Sequence, residues 1–395
     1  MKYLDSVDLK GKRVLIRVDF NVPLKNGVIQ DDNRIVQSLP TIRLALEKGA
    51  AVVLCSHLGK PKGKVVPELS LAPVAAHLSD LLNRDVTMAP DCVGDEAAKF
   101  VADLAPGHVL MLENLRFHAG EEANDEAFAK ALAAGVDVYV DDAFGTAHRA
   151  HASNVGVTEF VPECCCGLLL KKEWEFLGEA LAEPVRPYVA ISGGAKVSTK
   201  LAVLRRLLDK VDVLIIGGAM ANTFLLAQGH EVGSSLVERD LTDEALNIVK
   251  EAGAKGVTLL LPVDVVVGGS LDDAVTGGIF DAAAIPAGKM VLDVGPKTVD
   301  LYTSALATAK TVMWNGPMGA FENQAFAQGS LAIARCLAKL AGVTTIVGGG
   351  DTDAVVHKAK LADKFTFIST GGGSFMEFME GKELPAFKAL EGCGK

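Results

Sequence analysis

Short apolar runs that end at glycine dominate the second half of the 395-residue chain. Five of them end in the segments Ile191–Gly194, Ile216–Gly218, Trp314–Pro317, Val347–Asp351 and Ser369–Gly373. Nearly continuous runs of valine, isoleucine and leucine, separated by segments with helical spacing of apolar residues, are typical of parallel strands covered on both faces. The sequence therefore predicts an α/β fold of the doubly wound, Rossmann-like kind.

The same pattern gives element boundaries along the chain. In the first half it predicts helices at Arg34–Lys48, Leu71–Leu82 and Asp125–Ala134, and strands at Arg13–Phe20, Ala51–Cys55, His108–Leu112 and Val136–Val140. In the second half it predicts strands at Tyr188–Ile191, Val211–Ile216, Val257–Leu261, Thr311–Trp314, Thr344–Val347 and Lys364–Ser369. We expect Val265–Gly278 to leave this pattern as a small hairpin.

The length of the chain exceeds what one core usually fills, so two lobes are expected. The best boundary is a helix predicted at Cys166–Leu181, which a two-proline segment stops at Pro184 and Pro187. We expect a first lobe at 1–168, a helical hinge at 169–187 and a second lobe at 188–382. The tail, 383–395, is expected to pack back on the first lobe.

Composition excludes several classes of partner. The net charge is -10 without a basic tract, which argues against nucleic acid. No apolar run reaches the ~20 residues of a membrane helix, and the start lacks a signal-peptide core. The seven cysteines fit neither a disulfide framework nor a zinc pattern and suit a reducing cytosol. The adjacent Cys164–Cys166 are expected to be small buried residues, with a redox sensor as the alternative.

The glycine-ended strands point to anion binding in the second half. Glycine lets backbone N–H groups approach a phosphate closely, and the start of the next helix adds a positive dipole end. Structural turns are the competing interpretation, and neither the P-loop nor the dinucleotide fingerprint is present. Lys196 and Lys200 are spaced to share one face at a helix start. Asp351 is either a helix N-cap or a ligand of Mg²⁺.

The first half instead offers side chains after its strands, several of them cationic. Arginine forks grip carboxylates and phosphates, so a small doubly anionic substrate would need several. Taken singly, each arginine could equally form a surface salt bridge. The spacing of His148 and His151 is also metal-like, but no third ligand is apparent nearby. The candidate residues are Asp19, Asn21, Arg34, His57, Arg116, Arg149 and His151.

Long motifs along nearly the whole chain resemble the phosphoglycerate kinase family. The motifs are Arg17–Pro23, Ser56–Gly59, Glu113–Phe117, Phe144–His151, the Lys196–Lys200 segment, Trp314–Pro317, Gly348–Thr352 and Thr370–Gly373. The resemblance implies a hinged, two-lobed, monomeric enzyme of the cytoplasm. It also implies reversible phosphoryl transfer between 1,3-bisphosphoglycerate and ADP, giving 3-phosphoglycerate and ATP, with Mg²⁺.

The resemblance also implies roles for particular residues. The acid-binding set falls on Asp19, Asn21, Arg34, His57, Lys60, Arg116, Arg149 and His151, with Lys60 standing where the family usually has arginine. The nucleotide set falls on Lys200, Asn315, Pro317, Glu322, Gly349, Gly350, Asp351 and Thr352, with Asp351 toward the metal. The glycine-ended strands add Gly193 and Gly217 to the nucleotide-binding candidates. The transition-state contacts fall on Arg34, Lys196, Gly372 and Gly373.

Two other classes of protein share parts of this pattern. A nicotinamide-dependent oxidoreductase would also use α/β sheets and glycine turns, but the dinucleotide fingerprint is missing. A two-lobed anion-binding protein without catalysis would have no use for Lys196 or a magnesium carboxylate. Neither class accounts for the whole set of residues.

Overall fold

The buried apolar runs form two parallel sheets, one in each half of the chain. The structure, a computed structural model, describes residues 1–394 and, at position 179, the backbone alone. It divides into unit 1, Met1–Gly178 with Lys382–Lys395, and unit 2, Glu179–Gly381. The predicted α/β class with two doubly wound parallel sheets is confirmed.

The large sheet of unit 1 has the order β5-β6-β4-β1-β7-β8, and β2 with β3 forms a separate antiparallel hairpin. The central strand β1 is parallel to both neighbours, with Val14 opposite Val52 and Val138. The strands of the unit are Arg13–Val18 (β1), Leu24–Lys25 (β2), Val28–Ile29 (β3), Ala51–Cys55 (β4), Val86–Met88 (β5), Val109–Met111 (β6), Val138–Asp142 (β7) and Glu163–Cys166 (β8).

The large sheet of unit 2 has the order β11-β10-β9-β15-β16-β17, in which the chain reverses direction across the sheet between β9 and β15. Such a reversal opens a crevice at the carboxyl ends of the two strands. The strands are Tyr188–Ser192 (β9), Val213–Ile216 (β10), Thr258–Leu260 (β11), Asp264–Gly268 (β12), Ile279–Asp281 (β13), Met290–Val294 (β14), Thr311–Asn315 (β15), Thr344–Gly348 (β16) and Phe367–Ile368 (β17).

Helices cover the faces of both sheets. The α-helices are Asn33–Glu47 (α1), Ala72–Leu82 (α2), Asp95–Asp103 (α3), Ala119–Glu122 (α4), Glu126–Leu132 (α5), Leu168–Glu173 (α6), Leu201–Leu208 (α7), Met220–Ala227 (α8), Thr242–Ala254 (α9), Pro296–Leu306 (α10), Gln328–Leu337 (α11), Gly350–Lys358 (α12), Gly372–Met379 (α13) and Pro385–Gly392 (α14). Short 3₁₀ turns lie at Leu4–Ser6, Pro67–Leu69, Leu115–Phe117, Phe144–Thr146, Gly156–Glu159, Arg239–Leu241, Gln324–Phe326 and Ala362–Lys364. In the described part of the chain, no helix has both the length and the apolar character needed to cross a membrane.

Burial explains why these segments are stable. The strands β1, β4 and β7 are buried along nearly their whole length, and fully burying one aliphatic side chain contributes about 1.5–3 kcal/mol. On the helix side, α7 buries Val203, Leu204, Leu207 and Leu208 on one stripe. Strand and helix periods in the sequence therefore correspond to real core faces.

Two predicted segments differ from the observed ones. The hairpin expected at Val265–Gly278 is larger, because β12 pairs antiparallel with both β13 and β14, which lies well beyond that segment. The single helix expected at Cys166–Leu181 begins only at Leu168 and widens into a π-helix at Trp174–Ala180. The indole of Trp174 lies over Gly178 and packs on Phe387 at 5.0 Å, and this crowding accompanies the wide turns.

The C-terminal helix α14 belongs to unit 1 and is covalently attached to it. Cys164 in β8 and Cys393 form a disulfide across 229 residues, with their Cα atoms 5.9 Å apart. The expectation of free thiols is therefore wrong for Cys164, whereas Cys165 and Cys166 are buried and free. Sequence spacing gave no sign of the pair, because only the return of α14 places Cys393 beside β8.

Candidate active site

The predicted acid-binding residues of unit 1 follow the four central strands of its sheet. Asp19 follows β1, His57 follows β4, Arg116 follows β6 and His151 follows β7. Carboxyl ends of parallel strands meet at one edge, so the topology alone gathers these side chains. The pKa of His57 responds to the charges of nearby arginines, which places it among Arg17, Arg116, Arg34 and Arg149.

Asp19 orients two of its neighbours at this edge. Its Oδ2 accepts a hydrogen bond from Nη1 of Arg34 at 2.6 Å, and its Oδ1 accepts from the backbone N–H of Asn21 at 3.3 Å. The Oδ1 of Asn21 in turn accepts from the backbone N–H of Gly59 at 2.9 Å. Arg34 lies in the first turn of α1, and its side chain is 38% exposed, so an anion can reach it from solvent.

Arg116 is the buried cation of the site. It is 3% exposed, and its Nη1 donates to the carbonyl of Gly59 at 2.9 Å. Its Nε lies 3.2 Å from the carboxylate of Glu122, but Nε and Nη2 make no hydrogen bond. Burial lowers the pKa of Arg116; the charge of Glu122 opposes this shift, and the charges of Arg149 and Arg17 add to it. Unpaired donors on a buried cation are costly and indicate a place for an anion.

The remaining predicted residues of this edge differ in exposure. Arg149 and Lys60 are exposed, and Nε of Arg149 donates to Nε2 of His148 at 3.2 Å. His151 is 8% exposed, and its Nδ1 lies 3.8 Å from the buried carboxylate of Glu121. Burial, then the nearby arginine charges, lowers the pKa of His151 to about 4. His151 is therefore neutral at pH 7.

His57, predicted to bind the acid, is also neutral. It is 3% exposed, and desolvation followed by the charge of Arg17 lowers its pKa well below the usual value. Nη2 of Arg17 lies 3.2 Å from Nδ1 of His57. Because a guanidinium only donates, Nδ1 must accept, and the ring proton lies on Nε2. His57 thus offers an N–H donor rather than a charge.

A buried polar cluster beneath the site was missed by the sequence reasoning. Nε of Arg17 donates to Oγ of Ser153 at 3.1 Å, and that hydroxyl donates to Oε1 of Glu121 at 2.6 Å. Arg17, Ser153 and Glu121 are all at most 1% exposed. Burial raises the pKa of Glu121, against the opposing charge of Arg17. An arginine within the apolar strand Arg13–Val18 was the one available signal.

In unit 2, the glycines after β9, β10 and β15 pack closely against neighbouring turns, with no room for a Cβ atom. A Cβ on Gly193 would lie 2.1 Å from the carbonyl oxygen of Pro317, and one on Gly217 would lie 2.4 Å from Sδ of Met318. The N–H of Gly193 donates to the carbonyl of Asn315, and that of Gly217 donates to the carbonyl of Ser192. The expectation of bare N–H groups is therefore wrong for these two glycines, whose role is close packing of the turns.

Lys200 lies at the crevice between β9 and β15. Its Nζ donates to the backbone carbonyl of Asn315 at 2.9 Å and to the Oδ1 of the same residue at 2.6 Å. Nδ2 of Asn315 donates to the carbonyl of Gly348 on β16 at 2.7 Å, which fixes the amide. Burial lowers the pKa of Lys200 to about 7, although the charge of Asp351 acts in the opposite direction. An anion beside Nζ would stabilise the charged form of Lys200, which burial disfavours.

Lys196 is exposed, and it does not share a helix face with Lys200. The helix α7 begins only at Leu201, and the preceding segment is a turn in which the N–H of Lys200 donates to the carbonyl of Val197. Ser198 is held away from a helical course because its N–H and Oγ both donate to Glu238. The four-residue spacing therefore carried no geometric meaning here.

The starts of α12 and α13 supply the remaining donors of unit 2. N–H groups in the first turn of any helix have no intrahelical partner and carry the positive end of its dipole. Helix α12 begins at Gly350 and carries exposed Asp351 in its first turn, with Gly349 as N-cap, so the N-cap interpretation of Asp351 is wrong. Thr352 is fully buried, and its Oγ1 accepts from the N–H of Gly316 at 2.6 Å. Gly372 opens α13, where an added Cβ would meet open space.

A cavity of about 680 Å³ lies beside the start of α12 within unit 2. Apolar residues of the β12–β14 sheet and its loops form one side, and the glycine turns form the other. Exposed Glu322 and Asp351 lie on its wall. A largely apolar cleft beside the start of α12, whose Asp351 lies near Lys200, fits a flat apolar group linked to phosphates. Among its lining residues are Gly194, Gly218, Val265, Leu292, Pro317 and Met318.

The carboxylate of Asp351 fits a magnesium ion. Mg²⁺ in proteins is bound by one or two carboxylates together with phosphate oxygens and water. Asp351 is exposed, lies on the cavity wall, and is close enough to Lys200 to affect its pKa. A single exposed carboxylate close to a lysine is a donor set that suits such an ion once phosphate oxygens and water complete it.

Two units, each built on a six-stranded parallel sheet with polar and cationic side chains or glycine turns at its carboxyl edge, define a two-unit α/β protein. The family model described as phosphoglycerate kinase matches residues 4–382. Phosphoglycerate kinases of Maridesulfovibrio salexigens (57% identical, 99% of each chain) and Clostridium novyi (56% identical, 98% of each) are similar over nearly their full lengths. The chain belongs to the phosphoglycerate kinase family, and the sequence-based identification is confirmed.

Solved structures show the same similarity. The phosphoglycerate kinase of Coxiella burnetii has a TM-score of 0.90 at 45% identity, covering 100% of this chain and 99% of that one. The enzyme of Pyrococcus horikoshii has a TM-score of 0.86 at 32% identity, covering 99% and 98%. The predictions of a kinase and of a phosphotransferase activity are therefore confirmed as well.

Proposed function

We propose that the chain transfers a phosphoryl group reversibly between 1,3-bisphosphoglycerate and ADP, giving 3-phosphoglycerate and ATP, with unit 1 holding the acid and unit 2 the nucleotide. The assignment of one ligand to each unit rests on a contrast between the two units. Unit 1 gathers arginines around a small polar edge, whereas unit 2 offers an apolar cavity beside the start of α12 and close to Lys200. A small polyanion matches the first, and a nucleotide matches the second.

The acid would be held by donors that are already in place. Nε and Nη2 of Arg116 are buried without a hydrogen bond, although Nε faces Glu122, and Arg34 is held by Asp19 through one of its nitrogens. His57 and His151, being neutral, would add N–H donors without further charge. Arg149 and Lys60 are exposed and would close around the ligand from solvent, with Lys60 acting as a point charge rather than a fork. Gly59 and Asn21 would support these side chains.

The nucleotide would place its base in the cavity and its phosphates by Lys200. Glu322 on the wall is suited to the ribose hydroxyls, and the backbone around Pro317 and Gly194 would form the floor. The N–H groups at the start of α12, with Gly349 and Gly350, would meet the phosphates. Gly193, Gly217, Asn315 and Thr352 would act by shaping this backbone, since their own polar groups are bonded within the protein.

Transfer itself would need no general base from the protein. The acceptor carboxylate is already ionised at neutral pH, because carboxylic acids titrate near ~4. The barrier is the approach of one anion to another, so positive groups must surround the moving phosphoryl group. We assign Arg34, Lys196 and the helix start at Gly372 and Gly373 to this task. Mg²⁺ held by Asp351 would neutralise charge on the phosphates.

The reaction also requires the two ligands to come together without water. We therefore propose that 169–187 serves as a hinge between an acid-binding domain, 1–168 with 383–395, and a nucleotide-binding domain, 188–382. The widened helix Trp174–Ala180 supports this assignment, because π turns weaken regular helical bonding. We also propose that the enzyme works as a monomer in the cytoplasm, where its glycolytic substrates occur.

A coupled assay tests this function against its alternatives. The chain is mixed with 3-phosphoglycerate, ATP and Mg²⁺, and the acyl phosphate formed is reduced by an added NADH-dependent dehydrogenase. Loss of NADH absorbance that depends on both substrates is the expected result. NADH binding by the chain itself, seen by fluorescence, would support an oxidoreductase. Binding of both ligands without turnover would support a non-catalytic anion-binding protein.

A further inference from the structure

Three different metal-ligating side chains meet outside the site described above. Asp91 and Cys92 follow β5, and His118 follows the 3₁₀ turn after β6. One ligand atom from each residue lies within 4.8 Å of the other two. Because β5 and β6 are paired parallel strands, both segments leave the sheet at the same edge. Two loops separated in sequence thus deliver a sulfur, a nitrogen and an oxygen to one point.

The surrounding contacts hold these three side chains in place. Oδ1 of Asp91 accepts from the backbone N–H of Cys92 at 2.6 Å and lies 2.7 Å from Nε2 of His118. The His118 ring packs beside the ring of Phe128, with centroids 5.5 Å apart. Cys92 is only 3% exposed, whereas the side chains of Asp91 and His118 are 45% and 34% exposed. The cluster is therefore buried on the sulfur side and open to solvent on the other.

The donor set selects the kind of ion. Thiolate and imidazole favour zinc and similar transition metals, whereas Mg²⁺ and Ca²⁺ prefer oxygen alone. Three protein ligands with an open position match a four-coordinate zinc that keeps one water. A thiolate and a carboxylate together would also balance the charge of a divalent ion. This chemistry differs from that of the single carboxylate Asp351.

We propose that Asp91, Cys92 and His118 form a binding site for Zn²⁺ or a similar divalent transition metal ion. Only Phe117 separates His118 from Arg116 in the chain, so an ion at this site would also fix the turn that carries Arg116. The effect on Arg116 rests on the proposed function, whereas binding of the ion does not. The competing interpretation is an Asp91–His118 ion pair beside an inert buried thiol.

Cobalt titration of the full chain distinguishes these interpretations. After removal of metals by a chelator, Co²⁺ is added and the near-ultraviolet charge-transfer band of a thiolate–cobalt bond is followed. We expect the band to saturate at one ion per chain and to be displaced by Zn²⁺. Cys92→Ser should abolish the band, and the matched control Cys336→Ser, at a half-buried cysteine elsewhere, should keep it. An Mg²⁺-type site at Asp351 cannot give this band, since it has no sulfur.

A second variant keeps the test decisive if Cys92→Ser does not fold. His118→Gln retains the thiol, and we expect it to weaken cobalt binding by at least the roughly 10- to 100-fold that follows loss of an outer metal partner. Circular dichroism and thermal unfolding check the fold of each variant. No thiolate band in the parent chain, a band that survives in folded Cys92→Ser, or unchanged affinity in His118→Gln would each overturn the proposal.

Discussion

The half-buried ammonium of Lys200 gives the sharpest test of the proposed nucleotide site. Its pKa is lowered to about 7, chiefly by burial. At pH 8 about 0.9 of the free protein would therefore carry a neutral lysine, against about 0.1 at pH 6. Nucleotide phosphates beside Nζ would favour the charged form and return the pKa toward its usual value near 10.4. Binding should then take up about 0.9 protons at pH 8 and about 0.1 at pH 6.

Calorimetry measures this uptake directly. MgADP is titrated into the protein at pH 8 in two buffers of different ionisation enthalpy, and the difference in binding heat gives the number of protons. Phosphate groups contribute little there, because their second pKa is near ~6. Lys200→Met should abolish the uptake, while Lys196→Met, at an exposed lysine nearby, should keep it. Uptake near zero in the parent chain, or equal uptake in Lys200→Met, would refute the assignment.

Four further changes test other parts of the structure. Lys196→Ala should lower kcat by about 10²–10³ with nucleotide affinity nearly intact, and unchanged turnover in the coupled assay would remove Lys196 from its role. Arg149→Ala should mainly raise KM for 3-phosphoglycerate, by about tenfold or more, and a defect confined to ATP would contradict its placement. Burial raises the pKa of Asp142 to about 8, so between about pH 4 and 8 the folded state holds one proton more than the unfolded state. The free energy of unfolding therefore falls by about 1.4 kcal/mol per pH unit over that range. Asp142→Asn should remove this fall in the free energy of unfolding, measured by urea unfolding at pH 5–9. An unchanged slope of unfolding free energy against pH would show that the Asp142 carboxyl is ionised throughout this range. Cys393→Ser should lower the unfolding free energy of unit 1 by at most about 5 kcal/mol and abolish its response to dithiothreitol, whereas a response that persists would locate the redox effect elsewhere.

The fold class could be predicted because it depends on local periodicity. Buried parallel strands must be apolar throughout, and covering helices must repeat every 3.6 residues. The two patterns are present in Ala51–Cys55 and Arg34–Lys48, and these segments form a strand and a helix of nearly the expected length. Short edge strands were less predictable. The strand predicted at Lys364–Ser369 is observed only at Phe367–Ile368, because only those residues pair with β16.

The candidate site shows where residue identity was sufficient and where it was not. Asp19, His57 and Arg116 could be selected because polar residues after apolar parallel strands must meet at one sheet edge. The neutral state of His57 could not be foreseen, since it depends on burial and on Arg17 lying 3.2 Å away. The predicted position of Lys196 on a helix face is wrong, because Ser198 hydrogen-bonds to Glu238 in a distant segment and α7 begins only at Leu201.

The sequence by itself determined the alternation of strands and helices, the residue types at each strand end, and through its long motifs the family. These properties depend on the local spacing and chemical identity of residues, and the linear sequence contains both. Only the tertiary structure decided that the Gly193 and Gly217 N–H groups are bonded internally, that Cys164 joins Cys393, and that Asp91, Cys92 and His118 meet. Each depends on contacts between segments far apart in the chain, and burial at those contacts sets protonation and hydrogen bonding.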